Sequence, residues 1–200
     1  MEYPTMSAAE ARAQATFTAL LWALSHPGRV RELPQGPPAL PGRPDTAAFA
    51  AIAECLLDLE TSYFCPDVDL DRRLMLTGAR PVSPQAAQYQ FYPTLHDADL
   101  AVLRAAPAGS YLYPDDGATL VLGCKLGPAR QGLRPFGAGR RLILSGPGIR
   151  EQHELLIDGV PEALWPLRRE GIRYPQGWDV FLVDGASVLG LPRTTAVEVR

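Results

Sequence analysis

The chain has 200 residues, 46% hydrophobic and 20% charged, a balance that fits one large domain with a sizeable core and excludes a disordered or collagenous chain. Its formal charge is −3, from 22 acids against 19 bases, so it lacks the broad positive field that carries non-specific nucleic-acid binding. The 20 prolines and 18 glycines follow no period and read as hard turns and long loops.

Ser7 followed by Glu10 forms a capping box and predicts a first helix whose apolar stripe is Phe17, Leu20, Leu21 and Leu24. The turn Ser25-His26-Pro27-Gly28 ends it. A proline-rich loop, QGPPALPGRP, leads to a second helix capped by Asp45 or Thr46 and carrying Phe49, Ile52, Leu56 and Leu59, so that two helices precede any strand. The run TSYFC from Thr61 predicts a strand, Asp69 to Leu76 a short helix, Gln88 to Tyr92 a strand, and Asp97 to Arg104 another short helix. After the turn Pro114-Asp115-Asp116-Gly117, the apolar run ATLVLGC from Ala118 predicts a central strand covered on both faces. Strands are expected at Arg141 to Ser145, Glu154 to Asp158, Trp178 to Asp184, Ser187 to Leu191 and Thr195 to Val199, with a helix led by Pro161 through Arg169. The interleaving predicts an α/β layered domain over residues 1–200 with a mixed sheet, antiparallel near Asp184 to Ser187.

Several catalytic patterns fail on inspection. His153-Glu154 opens like a zincin helix, but Ile157 stands where the second metal-ligating histidine belongs. Asp67, Asp69 and Asp71 lack the glycine and glutamate of a calcium loop, Arg72 and Gly78 standing there instead. Leu189 replaces the second glycine of a nucleophile elbow at Gly185 and Ser187, leaving a hairpin turn. The bases are 18 arginines and a single lysine, Lys125, which has neither the glycine nor the hydroxyl of a phosphate-binding P-loop and is the sole candidate for a pyridoxal phosphate Schiff base. Cys55, Cys65 and Cys124 are odd in number with no C-x-x-C pair, a pattern suited to a reducing, cytoplasmic compartment and not to disulfides or a zinc ribbon. No basic and apolar leader occupies Met1 to Glu10 and no apolar run reaches membrane-spanning length, so neither export nor a membrane is expected. Two segments carry anion-binding chemistry: Gly146-Pro147-Gly148-Ile149 directly after a strand, and Pro192-Arg193-Thr194-Thr195 with one guanidinium and two hydroxyls. The first otherwise reads as a tight connection, and the second as a subunit contact.

Taken in order, FTALLWALSHPGRVREL, LLDLETSYF, LSGPGI, YPQGWDVFLVDG and LPRTTAVEVR resemble the H subunit (PhnH) family of the bacterial carbon-phosphorus lyase system for phosphonate breakdown, nearly end to end. The resemblance implies a three-layer αβα fold related to the large domain of pyridoxal phosphate transferases, a homodimer, and no cofactor. It further implies an accessory, noncatalytic subunit that works with the G, I and J subunits in forming ribose 1-phosphonate 5-triphosphate from ATP and a phosphonate. The segments matching the family's motifs are Pro27, Gly28 and Arg29; Gly146, Pro147 and Gly148; Gly177 with Asp179; and Pro192, Arg193, Thr194 and Thr195. They are the expected ligand or interface residues, with Arg29 and Arg193 as anion-site candidates and no catalytic or metal-ligating residue. The competing reading is an independent enzyme of pyridoxal phosphate descent, or a phosphate-ester-binding dimer, acting through Lys125 or Arg193.

Overall fold

The structure, a computed structural model, describes residues 6–128 and 139–200. In chain order the elements are α1 (Ala8–Ser25), β1 (Val30–Glu32), α2 (Thr46–Leu56), β2 (Ser62–Phe64), α3 (Val68–Leu74), β3 (Arg80–Pro81), β4 (Tyr89–Tyr92), α4 (Asp99–Leu103), β5 (Thr119–Gly123) and β6 (Lys125–Pro128). They continue with β7 (Arg140–Ser145), β8 (His153–Asp158), α5 (Leu164–Gly171), β9 (Asp179–Asp184), β10 (Ser187–Leu191) and β11 (Ala196–Val199). A seven-stranded sheet has the order β1-β10-β9-β5-β4-β2-β3. It is parallel from β3 to β9 and antiparallel where β10 meets β9 and β1, which makes the expected mixed sheet. The apolar run of β5 lies in its middle with Leu120, Val121 and Leu122 fully buried, as a strand covered on both faces requires.

Alternation along the strands divides the core in two. Val121, Phe181, Val183 and Val188 face α1, α2 and α3, packing with Leu20, Phe49, Ile52, Leu70 and Leu74. Leu120, Leu122, Val180, Leu182 and Leu191 face the opposite way, onto Leu103 of α4, Trp165 of α5, and Leu142, Leu144 and Leu155. The last three belong to a second, antiparallel sheet, β11-β7-β8-β6, which the sequence pattern did not announce. Three of its strands lie in the excursion from β5 to β9, and β11 closes its edge from the end of the chain. The result is a helical layer, the large sheet, and a third layer of small sheet and helices.

The capping box of α1 forms: the Glu10 N–H donates to Ser7 Oγ at 3.2 Å and the Ser7 N–H donates to the Glu10 carboxylate at 2.7 Å, holding that carboxyl below its usual range. The expected stripe is corrected, because Thr16, Ala19, Leu20 and Ala23 are buried while Phe17 and Leu21 are 54% and 56% exposed. Close approach selects this face. A Cβ built on Gly190 of β10 would lie 2.6 Å from the Ala23 carbonyl, so the contact needs small residues on both sides. A strand does precede the second helix: β1 has three exposed residues, too few and too polar to show a period. Asp45 makes no cap bond; Thr46 Oγ1 instead accepts from the Leu40 N–H at 2.8 Å and donates to the Arg43 carbonyl at 2.7 Å. Leu59 falls beyond the end of α2 and is exposed, and α5 starts at Leu164 after a turn from Pro161.

Gly190→Ala is expected to cost about 1–3 kcal/mol by forcing α1 off the sheet, read as a lower urea midpoint with an unchanged slope. A pH effect follows from Asp67, which caps α3 by accepting from the Leu70 N–H at 2.9 Å and pairs with Arg43 at 2.6 Å. Burial pushes its carboxyl up, but that N–H and the guanidinium outweigh it and hold it below the ordinary value. A depressed folded pKa stabilises above the unfolded value, and the effect is lost as pH falls through the folded one. Asp67→Asn keeps the cap and loses the charge, so it should be less stable than the parent by up to about 1 kcal/mol at pH 7. Paired melts should show the gap closing below about pH 4.

Candidate functional site

The four segments singled out in the sequence meet end to end in space. A Cβ on Gly148 would strike Pro27 Cδ at 2.8 Å and the Ser25 carbonyl at 3.0 Å, and one on Gly28 would strike the His153 ring at 2.6 Å. Gly146, at φ +133°, lies against the Thr194 carbonyl, 2.7 Å from where its Cβ would be. Only glycine allows these approaches. The Pro147 turn closes on itself, the Ile149 N–H donating to the Gly146 carbonyl at 3.1 Å.

Arg193 ties the next link. Its backbone N–H donates to Asp179 Oδ1 at 2.7 Å and its Nη2 to Asp179 Oδ2 at 2.8 Å, while Nη1 donates to the Pro114 and Pro175 carbonyls. Gly117 and Gly177 make room, since a Cβ on Gly117 would come within 2.9 Å of the guanidinium and one on Gly177 within 3.3 Å of Arg193 Cβ. The side chains of the pair are 14% and 23% exposed, which makes this a structural clamp on three chain segments.

Arg168 of α5, which sequence reasoning passed over, clasps the same turn from behind. Its Nη1 donates to the Thr195 carbonyl and its Nη2 to the Pro192 carbonyl, both at 2.8 Å, and the turn closes through the Thr195 N–H to Pro192. The residue is 3% exposed, and burial lowers its pKa to about 10, against the opposing field of Asp179. Its signal was present: Arg168 stands four residues after Leu164 and three after Trp165, on the buried stripe of the helix.

Between α5 and this turn lies a cavity of about 510 Å³ lined by Pro147, Trp165, Arg168, Arg169, Tyr174 and Thr194 among others, with Arg193 and Thr195 at its wall. Arg29 is elsewhere, exposed and lining a separate cavity with Gly28, His153, Glu154 and Asp184. The two arginines expected to share a role therefore line different cavities. Lys125 pairs with Asp184 at 2.8 Å, and that hydrogen bond raises its pKa, whereas an amine attacking a carbonyl must be neutral. Burial raises the thiols of Cys55 to about 11 and Cys65 to about 12, and Cys124 also upward, away from the thiolate a nucleophile or metal ligand requires. His153 and Glu154 lie on strand β8, and Gly185 and Ala186 make the β9–β10 hairpin turn, with Ser187 opening β10. Among the described residues no cluster of His, Cys, Asp or Glu is placed to hold a metal, and no helix is long and apolar enough to cross a membrane.

Asp179→Ala should lower stability by about 2 kcal/mol, because it strands a largely buried guanidinium. Arg193→Lys should not be neutral either, since an ammonium cannot reproduce the fork; urea denaturation of both variants checks this.

The sequence profile of the family described as "Bacterial phosphonate metabolism protein (PhnH)" matches residues 4–198. HtxG of Stutzerimonas stutzeri, named as a C-P lyase subunit protein, is 34% identical over 195 residues, covering 94% of this chain and 87% of that protein. A Rhizobium meliloti (strain 1021) protein, "Alpha-D-ribose 1-methylphosphonate 5-triphosphate synthase subunit PhnH", is 29% identical over 198 residues, covering 93% and 90%. With a match that runs through all four segments of the joint, the chain belongs to the PhnH family of bacterial phosphonate metabolism proteins.

Proposed function

We propose that the chain is an accessory subunit of a carbon-phosphorus lyase assembly, acting with partners of the G, I and J type where ATP and a phosphonate are converted to a ribose 1-phosphonate 5-triphosphate. The observation that carries this reading is the near end-to-end family match, together with a relative of similar length whose name makes it a subunit of the ribose 1-methylphosphonate 5-triphosphate synthase. The site adds support, because its arginines and glycines are spent on holding chain segments together, which suits a part that shapes an assembly. The subunit is noncatalytic by itself, a reading favoured by the ion-paired Lys125 and the three raised thiols. It works as a homodimer, for which the exposed Phe17 and Leu21, one turn apart on α1, offer an apolar surface.

Co-expression with homologues of the G, I and J subunits tests the assembly: a tag on this chain should retain all three through size exclusion in fixed ratio. Elution of the chain without them would defeat the proposal. Light scattering of the chain alone should give twice 21.7 kDa, with Leu21→Glu shifting it toward the monomer.

A further inference from the structure

The cavity beside α5 has a charge balance unlike the rest of the molecule. Its lining contains Arg168, Arg169 and Arg193 and no acidic residue among the described residues, in a chain whose net charge is −3. The larger groove between α1, α2 and α3 provides the contrast: there Arg12 pairs with Glu54, Arg43 with Asp67 and Arg72 with Asp69. At the α5 cavity only Arg193 has a carboxylate, Asp179. Arg168 donates to carbonyls alone, so its buried charge has no countercharge in contact, and a low-dielectric surrounding carries its field into the cavity.

A second, independent observation points the same way. Four buried side-chain polar atoms among the described residues have no hydrogen-bond partner, and three of them belong to this cavity's lining: Trp165 Nε1, Arg168 Nε and Thr195 Oγ1. These residues are at least nine-tenths buried, at 3%, 3% and 2% exposure. Native proteins rarely leave such groups unmatched, and three in one place, two of them pure donors and the third a hydroxyl, lack an acceptor. The remaining wall, with Pro147, Ile172, Tyr174, Ala196 and Val197, is apolar, and the volume of about 510 Å³ is within the range of small-molecule sites.

We propose that this cavity binds a small organic ester or phosphonate through its tetrahedral, doubly charged phosphoryl group, with the organic part against Tyr174, Ile172 and Val197. Arg169, exposed and without an ion-pair partner among the described residues, and Thr194 meet the oxygens at the mouth. Arg168 acts mainly through its field, because its terminal nitrogens already hold the Pro192–Thr195 turn, and the Thr195 hydroxyl turns to the ligand as the acceptor it lacks. Arginine suits a phosphoryl group through its planar fork. The inference rests on the cavity and not on membership of an assembly.

Calorimetric titration of the full chain with phenylphosphonate, at low ionic strength and pH 7.5, tests it. Saturable binding at one site per chain is expected, displaced by inorganic phosphate but not by benzyl alcohol. Arg169→Glu should weaken it at least about tenfold with an unchanged thermal midpoint. Thr195→Val should also weaken it while leaving the midpoint unchanged or raised, since the variant removes an unmatched buried hydroxyl. Absence of binding, equal binding by Arg169→Glu, or displacement by benzyl alcohol overturns the proposal. A chain that enters the assembly yet binds no phenylphosphonate sinks this inference alone, and one that binds it but stays apart from the G, I and J homologues sinks the proposed function alone.

Discussion

The clasp on the Pro192–Thr195 turn is the constraint on which the site depends. Two guanidiniums hold it, Arg168 from α5 through the turn's carbonyls and Arg193 from within the turn through Asp179 at the start of β9. Each spans segments that are distant in sequence, which five donors in a rigid fork permit and a single ammonium does not. Released from the clasp, the chain leaving β10 would not be aimed at β7, where β11 completes the small sheet. The loops at Pro114 and Pro175 would lose their common anchor.

The position of the cavity relative to the sheet is informative. In open α/β sheets ligands gather at the carboxyl ends of parallel strands, where crossovers diverge. Here that place lies between β2 and β4, since α3 follows the one and α4 the other on opposite faces. It is filled: Phe64 and Tyr92 pack with ring centroids 6.1 Å apart, and a Cβ on Gly123 at the end of β5 would lie 1.9 Å from the Pro93 carbonyl. The arginine-lined cavity is instead at the amino end of β9, built by the excursion that carries the small sheet and α5. The crevice that such sheets usually leave open is closed here, and this cavity owes its walls to the excursion and to the turn after β10.

Charge is distributed to match. Acids and bases nearly cancel over the whole chain, and most arginines near carboxylates are paired at the surface, where each pair contributes little to stability. The exception is the buried arginine of α5, whose charge is desolvated, touches carbonyls alone and meets Asp179 only through space. Retaining a guanidinium there costs free energy that an apolar side chain of similar size would avoid, and the cost is offset by the hydrogen bonds through which it orders the turn.

Much of this could be read from the chain alone. The capping box at Ser7 and Glu10, the apolar run of β5, the hairpin at Gly185 and the ordered family segments are local signals, determined by backbone donors, side-chain period and turn chemistry within a few residues. The mixed α/β class followed from them. What only the tertiary structure decided depends on approach between distant segments. Ala19 and Ala23, not Phe17 and Leu21, face the sheet because Gly190 lets the backbones come close, a preference for smallness that hydrophobicity does not encode. Arg29 and Arg193 look alike in sequence and part in space. Arg168, one arginine among 18, shows in sequence only its place on the buried stripe of α5; its role comes from which carbonyls it meets, because a guanidinium's worth is set by its partners, and folding brings these together from distant segments.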